Sequence, residues 1–260
     1  MSHKRTISIT GAALCALLGG CSNSAPIKDA SMPPNLWGEV PPLAETFKQI
    51  EQLVAKRGGP ARVASPPQDW AAIESRLGTT IPEDFRRFVD WHDPMIWSWF
   101  VHSERWQQGP HAEPAGVDDF PRTIDDGCWL RDVSKFEVVT ARTSDGNAAF
   151  GVLFDCIDDY GWDHKVLDAE FLYFADTMTA SMGYLVAVDD RFAPRGSVIA
   201  TILDDPSIIV VGRNTSEWLA KLVALEGRDI ACGGIHELGT EASSRLIEDY
   251  KVLNPDQGWY

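Results

Sequence analysis

Apolar residues recur at helical spacing at Leu43, Phe47, Ile50, Leu53 and Val54, and Gly58-Gly59-Pro60 closes the run. Ser65-Pro66-Pro67-Gln68 then reads as a helix start. Serine stands at the N-cap, proline at the first helical position and glutamine at N3. Trp70, Ile73, Glu74 and Leu77 continue with helical periodicity to a stop at Gly78. After a short turn, Ile81-Pro82-Glu83-Asp84 opens another helix that carries Phe85, Phe88, Val89 and Trp91. Near the other end, Asn214-Thr215-Ser216-Glu217 has capping-box spacing, and Trp218, Leu219, Leu222, Val223 and Leu225 supply the apolar stripe that follows. A last helix is expected over Glu241–Val252, with an unordered tail to Tyr260.

Between these helices the pattern changes to short β-type runs: Phe136–Thr140, Ala148–Phe154, Val166–Phe174, Tyr184–Val188, Ser197–Ile202 and Ile208–Val211. Turn formers such as Ser144-Asp145-Gly146-Asn147 and Pro194-Arg195-Gly196 separate several of them. Helices first, then a block of strands, then helix, predicts an α+β fold with a central, mostly antiparallel sheet. Residues 93–130 interrupt this scheme. Trp97, Trp99, Phe100, Trp106 and Trp129 lie there among glycines, prolines and acids, which suggests an insertion with short strands. The predicted organisation is a leader over 1–20, a tether over 21–42, one α+β domain over 43–235 with its insertion, and a C-terminal extension over 236–260. No internal repeat is visible.

The leader changes the picture most. Lys4 and Arg5 precede an apolar stretch from Ile7 to Leu18, too short to span a bilayer, and Leu18-Gly19-Gly20-Cys21 follows. This resembles the lipobox of bacterial lipoprotein signals, which implies cleavage before Cys21 and a diacylglycerol on its sulfur. Ser22 after that cysteine is similar to the signal for sorting to the outer membrane. The expected location is the bacterial envelope, lipid-anchored on the periplasmic side. The Ser- and Pro-rich residues 22–42 then read as a flexible tether. Cys128, Cys156 and Cys232 have no C-x-x-C spacing, so a structural role is expected for them, with their pairing left open.

The precursor carries a net charge of −15, and loss of Lys4 and Arg5 with the leader takes the mature chain to −17. Such a field excludes nucleic acid as a ligand and favours a basic partner. Asp-Asp pairs recur at Asp118-Asp119, Asp125-Asp126, Asp158-Asp159, Asp189-Asp190 and Asp204-Asp205. Their plainest role is to solvate turns. The ten tryptophans admit two readings, buried core or the anchors of a protein interface. Candidate protein-binding residues are Trp97, Trp99, Trp106, Trp162, Asp118, Asp119, Asp125, Asp126, Asp158 and Asp159.

No H-E-x-x-H, G-x-S-x-G, G-x-x-x-x-G-K-[ST] or G-x-G-x-x-G occurs. Trp162-Asp163-His164 and Trp91-His92-Asp93 offer a histidine beside a carboxylate, and each reads as a surface hydrogen-bonding pair. The expectation is a protein without catalysis, metal or cofactor.

Trp70-Ala-Ala-Ile73-Glu74-Ser-Arg-Leu77-Gly78-Thr-Thr-Ile81-Pro82-Glu-Asp84-Phe85-Arg-Arg-Phe88 resembles the N-terminal signature of the SUKH superfamily, the Smi/Knr-type domain. Phe174-Ala175-Asp176, Gly183-Tyr184-Leu185, Ala187-Val188-Asp189, Gly196-Ser-Val198 and Val210 leading to Ser216-Glu-Trp218-Leu219 extend the resemblance from about residue 69 to 225. It implies a non-enzymatic α+β binding domain. Bacterial members are largely immunity proteins that neutralise toxins by direct binding, and fungal relatives are cell-wall regulators. With the lipobox, this points to an envelope-anchored immunity protein whose partner is a basic toxin. The alternative is a cell-wall or envelope scaffold with no toxin partner. Oligomeric state is not legible.

Overall fold

The computed structural model describes residues 35, 37–101, 128–140, 168–177, 182–202, 207–227 and 241–254. Its helices are α1 (Leu43–Lys56), α2 (Trp70–Leu77), α3 (Glu83–Trp91), α4 (Pro94–Val101), α5 (Thr215–Ala224) and α6 (Glu241–Leu253). The strands are β1 (Cys128–Leu130), β2 (Glu137–Val139), β3 (Phe171–Thr177), β4 (Met182–Ala187), β5 (Val198–Ile202) and β6 (Ser207–Gly212). Every pairing is antiparallel, in the order β1-β3-β4-β5-β6. β2 lies end to end with β1 on the same edge of β3, where β1 faces Ala175–Thr177 and β2 faces Phe171–Tyr173. A 3-10 turn, Val133–Lys135, separates the two short strands. The architecture is α+β.

Local chemistry sets the helix ends. Leu43, Thr46, Ile50 and Val54 form the buried stripe of α1. Asp69 caps α2 by accepting from the Ala72 amide (3.1 Å), and Gly78 ends it at φ +71°, a left-handed conformation that glycine adopts without strain. The cap is therefore Asp69 and not Ser65. Residues 59–69 have no helical or strand hydrogen-bonding pattern, and the Gln68 amide bonds the Asp90 carboxylate instead. The Ser-Pro-Pro-Gln pattern imitates a start without making one, because a better side-chain cap stands four residues on.

Residues 94–101 also depart from expectation. They form a helix of the core rather than the opening of a strand-bearing insertion. Pro94 occupies its first position and the Asp93 carboxylate accepts from the Met95 and Ile96 amides. Ile96, Trp97, Phe100 and Val101 are buried. The strand expected at Val166–Phe174 lies instead at Phe171–Thr177, while Ala148–Phe154 is outside the described residues.

The core forms between the helices and one sheet face. Trp218 of α5 is 1% exposed and meets the rings of Phe88, Trp97, Phe174 and Tyr184. Phe85 packs edge-on to Phe174 (4.8 Å between centroids) and against Phe136. Successive residues Phe171–Ala175 of β3 and Tyr184–Ala187 of β4 are all buried, so both faces of the central strands are closed to water. α6 packs into this core: Leu246, Tyr250 and Leu253 have no exposure. At the opposite end of α5, Arg57 donates to the carbonyls of Phe100 and Glu226 (both 2.9 Å) and more weakly to Trp99 (3.4 Å). One guanidinium thus joins the C-terminal ends of α1, α4 and α5, where carbonyls lack helical partners and cations are favoured.

Candidate functional site

The residues carrying the family resemblance converge on one junction. Glu74 of α2 accepts from the Ile81 amide (2.8 Å), which folds the Leu77–Pro82 turn back on its helix, and pairs with Arg86 (3.4 Å). Asp84, in the first turn of α3, accepts from its neighbour Phe85 and from the Thr215 amide (2.8 Å) at the start of α5. Its carboxylate therefore sits at the N-terminal ends of two helices, where backbone donors are unsatisfied. The 188–197 loop docks on the same turn. Arg195 donates to the Thr80 carbonyl and hydroxyl, and Gly196, at φ +92°, brings its backbone against Pro82. Asn214 caps α5 through the Glu217 amide (2.8 Å). The signature is a structural junction between helix pairs and sheet. Asp84→Ala should lower the unfolding free energy by about 1–2 kcal/mol in urea denaturation, with Asp84→Asn, which keeps one of the two acceptor oxygens, falling between.

Other acids are engaged in the same way. Asp189 accepts from the Glu170 and Arg191 amides, and Asp190 from the Arg195 amide, so this Asp-Asp pair organises a loop. Asp118, Asp119, Asp125, Asp126, Asp158, Asp159, Trp106, Trp162, Cys21 and the Asp163-His164 pair lie outside the described residues. Trp97 is 4% exposed and ringed by Phe88, Phe100 and Trp218; it is a core residue, not an exposed anchor. Trp99 is half-buried, with its ring against the backbone of Gly59.

His92 and Asp93 correct another expectation, since they are not a surface pair. Asp93 is 6% exposed, and besides capping α4 it holds the Val63 amide (2.8 Å). The His92 ring lies against Phe88 and Trp97, with Nε2 closed off and unpartnered among the described residues. Burial pushes its pKa down to about 4, against the opposing pull of Asp93. The native ring thus stays neutral where an unfolded one, with a pKa near 6.5, takes up a proton. Stability present above pH 6.5 is lost as pH falls towards 4. Relative to His92→Phe, the wild type should lose about 2–3 kcal/mol between pH 7 and pH 4.5, read from urea midpoints at both values.

Two arrangements remain as candidates for recognition or control. The first is a cleft of about 400 Å³ between α2 and the 3-10 turn. Ala72, Ile73 and Val133 give it an apolar floor, with Gln68, Asp69, Asp132 and Ser134 at its rim. Arg76 spans it, donating to the Val133 (3.0 Å) and Phe136 (2.9 Å) carbonyls. Asp69 and Asp132 are exposed yet fixed, each capping its own turn. Hydrogen bonds from the Ser134 hydroxyl and amide hold the Asp132 carboxyl below the usual range, so it stays ionised.

The second arrangement is buried. Arg213, Glu217 and Lys221 follow one another at four-residue steps, and Asp249 of α6 completes the set. Lys221 reaches Asp249 (2.6 Å), Glu217 (2.7 Å) and the Val211 carbonyl (2.9 Å), while Arg213 grips both carboxylates. Burial alone would raise the Asp249 carboxyl, but Lys221 and Arg213 together outweigh it and hold the group below its ordinary value. A four-residue charge rhythm beside an apolar stripe was visible in the sequence, but the partner on a distant helix was not.

Comparison of the chain with curated proteins and with solved structures yields no match. Comparison with protein families matches residues 65–221, which begin just before α2 and end at Lys221. The junction of α2, the Ile81-Pro82 turn, α3, the 188–197 loop and the start of α5 lies wholly within that span, and with the match covering well over half of the sequence, the chain belongs to the SMI1 / KNR4 family (SUKH-1).

Proposed function

We propose that this protein is a non-enzymatic, lipid-anchored envelope protein that neutralises a basic protein toxin by direct binding. Family membership over residues 65–221 is the observation that carries the reading, since it supports a role in protein–protein interaction of the immunity type. The net charge of −15 supplies the sign of the partner, because a strongly acidic surface accelerates encounter with a basic one. Among the described surfaces, the cleft at Asp69 and Asp132 suits a lysine or arginine flanked by an apolar side chain. The likeness of Leu18-Gly19-Gly20-Cys21 to a lipobox supports the anchor, and a protein so anchored meets its partner outside the cytoplasm.

The test is co-expression with toxins encoded beside the gene, in the compartment where they act. Protection, together with binding whose association rate falls steeply with salt, is the expected result. The Asp69→Asn/Asp132→Asn protein, which keeps a capping oxygen at both positions and loses both charges, should associate several-fold more slowly with its unfolding midpoint little changed. Absence of protection and binding for every such toxin overturns the reading, and recovery of wall-synthesis enzymes instead would favour an envelope scaffold. Cys21→Ser should move the protein from the membrane to the soluble fraction and abolish fatty-acid labelling.

A further inference from the structure

The segment 59–69 joins α1 to α2 with no helical or strand pairing of its own, yet it is held in place. The Gly59 amide bonds the Val54 carbonyl (2.9 Å). Arg62 donates through Nε to the Trp91 carbonyl at the end of α3 (2.7 Å), with its guanidinium over the Trp91 ring. Asp93 holds the Val63 amide (2.8 Å) and Asp90 the Gln68 amide (3.0 Å), so the end of α3 and the start of α4 pin the stretch at both ends. Between the pins, Val63, Ala64, Ser65, Pro66 and Pro67 are exposed. Val63 is 73% exposed, the one large apolar side chain so open among the described residues.

The sequence decides the shape of this stretch. Each proline fixes its own φ and keeps the residue before it out of the helical region, which sets Ser65-Pro66-Pro67 in the extended, polyproline-II range. Strand addition is closed to it, because neither proline has an amide proton and the Val63 amide is spent on Asp93. What remains on offer is two pyrrolidine rings, the Val63 side chain, and carbonyls from Val63 to Pro67 that accept from no described residue. The complement of that surface is a groove of aromatic faces with N–H or O–H donors at their edges, which tryptophan and tyrosine supply. The terminal nitrogens of Arg62 bond no described residue, so a carboxylate at that end of the groove completes the fit. Because the shape is set before contact, little ordering entropy is lost on docking.

We propose that Val63–Pro67 is a recognition strap that docks in an aromatic-lined, proline-reading groove on a partner protein. This inference does not rest on the toxin-binding reading.

The test places the photo-crosslinker benzoylphenylalanine at position 63 of the full chain, in cells of the source organism. Irradiation should give a protein adduct that mass spectrometry maps beside tryptophan or tyrosine of the partner. Pro66→Ala/Pro67→Ala should cut the adduct about tenfold, since the strap loses both its rings and its preset shape, while Ser65→Ala leaves it intact. Both variants should keep wild-type amide-exchange protection in α3 and β3–β5, which separates lost docking from lost fold. A second chain with the crosslinker at position 64 should give the same adduct, which guards against disturbance by the bulky group at 63. No protein adduct from either position, an adduct on lipid or on a second copy of this chain, one mapped away from aromatic side chains, or a yield indifferent to the proline replacements would each overturn the proposal.

Discussion

Replacing Lys221 by methionine is expected to lower the unfolding free energy by about 3–5 kcal/mol, read from urea denaturation at pH 7. The side chain is 1% exposed, and its ammonium lies between two carboxylates that are themselves 2% and 0% exposed. Methionine fills the volume but leaves Glu217 and Asp249 sharing Arg213 alone, which strands a buried negative charge. The size of the loss reflects that stranded charge rather than the worth of the intact pair. Removing Lys221 and Asp249 together, as Lys221→Met/Asp249→Leu, should therefore recover most of it, because Arg213 and Glu217 remain matched. Acid supplies an independent check. The Asp249 carboxyl is held below its ordinary value, so its contribution is present above about pH 4 and is lost as pH falls further. The gap between wild type and Lys221→Met should narrow over that range.

Gly227→Ala should be comparably damaging, at about 3–5 kcal/mol, from added strain and overlap. Gly227 follows α5 with φ +90°, and its amide bonds the Leu222 carbonyl (2.7 Å). A Cβ there would stand 2.1 Å from the Phe100 carbonyl oxygen and 2.8 Å from its carbon. Both are backbone atoms, so no side-chain rotation relieves the overlap; either α4 or the end of α5 must move. Gly78→Ala separates the two effects, since Gly78 has a similar φ of +71° with nothing within 4 Å of the added methyl. Its loss should be near 1 kcal/mol, from backbone strain alone, and thermal or urea unfolding of both variants checks the comparison.

What the sequence disclosed follows the range of the interactions involved. Gly78 as a stop and Asn214 as a cap were legible because each acts within four residues of itself. The α+β order was legible from the switch in period. The Ser65 start failed because Pro66-Pro67-Gln68 satisfies every local rule for a first turn, and only the Asp69 side chain, bonded to Ala72, shows where the helix begins. Tryptophans at 97 and 99 within a Pro- and Gly-bordered stretch resembled an irregular insertion. Their helix depends on Asp93, a residue also committed to Val63, thirty positions earlier. The signature acid Asp84 stood out as a motif, but its partner amide at Thr215 is 131 residues away, and no spacing rule reaches that far. Of the binding candidates within the described residues, Trp97 was not legible, since exposure is a property of the folded surface. Trp97 changed from anchor to core for that reason.

The contact between Arg57 and Glu226 spans 169 positions and closes the end where α1, α4 and α5 meet. A chain made from its N-terminus completes α1 long before α5 exists. The stripe of Leu43, Ile50 and Val54 meets α3 and α4 within about 50 residues, but its cover is complete only with α5, about 170 residues on. The meander β3–β4–β5–β6, by contrast, joins neighbours in sequence and can form as it emerges. The first helix written is thus half-housed early by α3 and α4 and closed over only when α5 arrives.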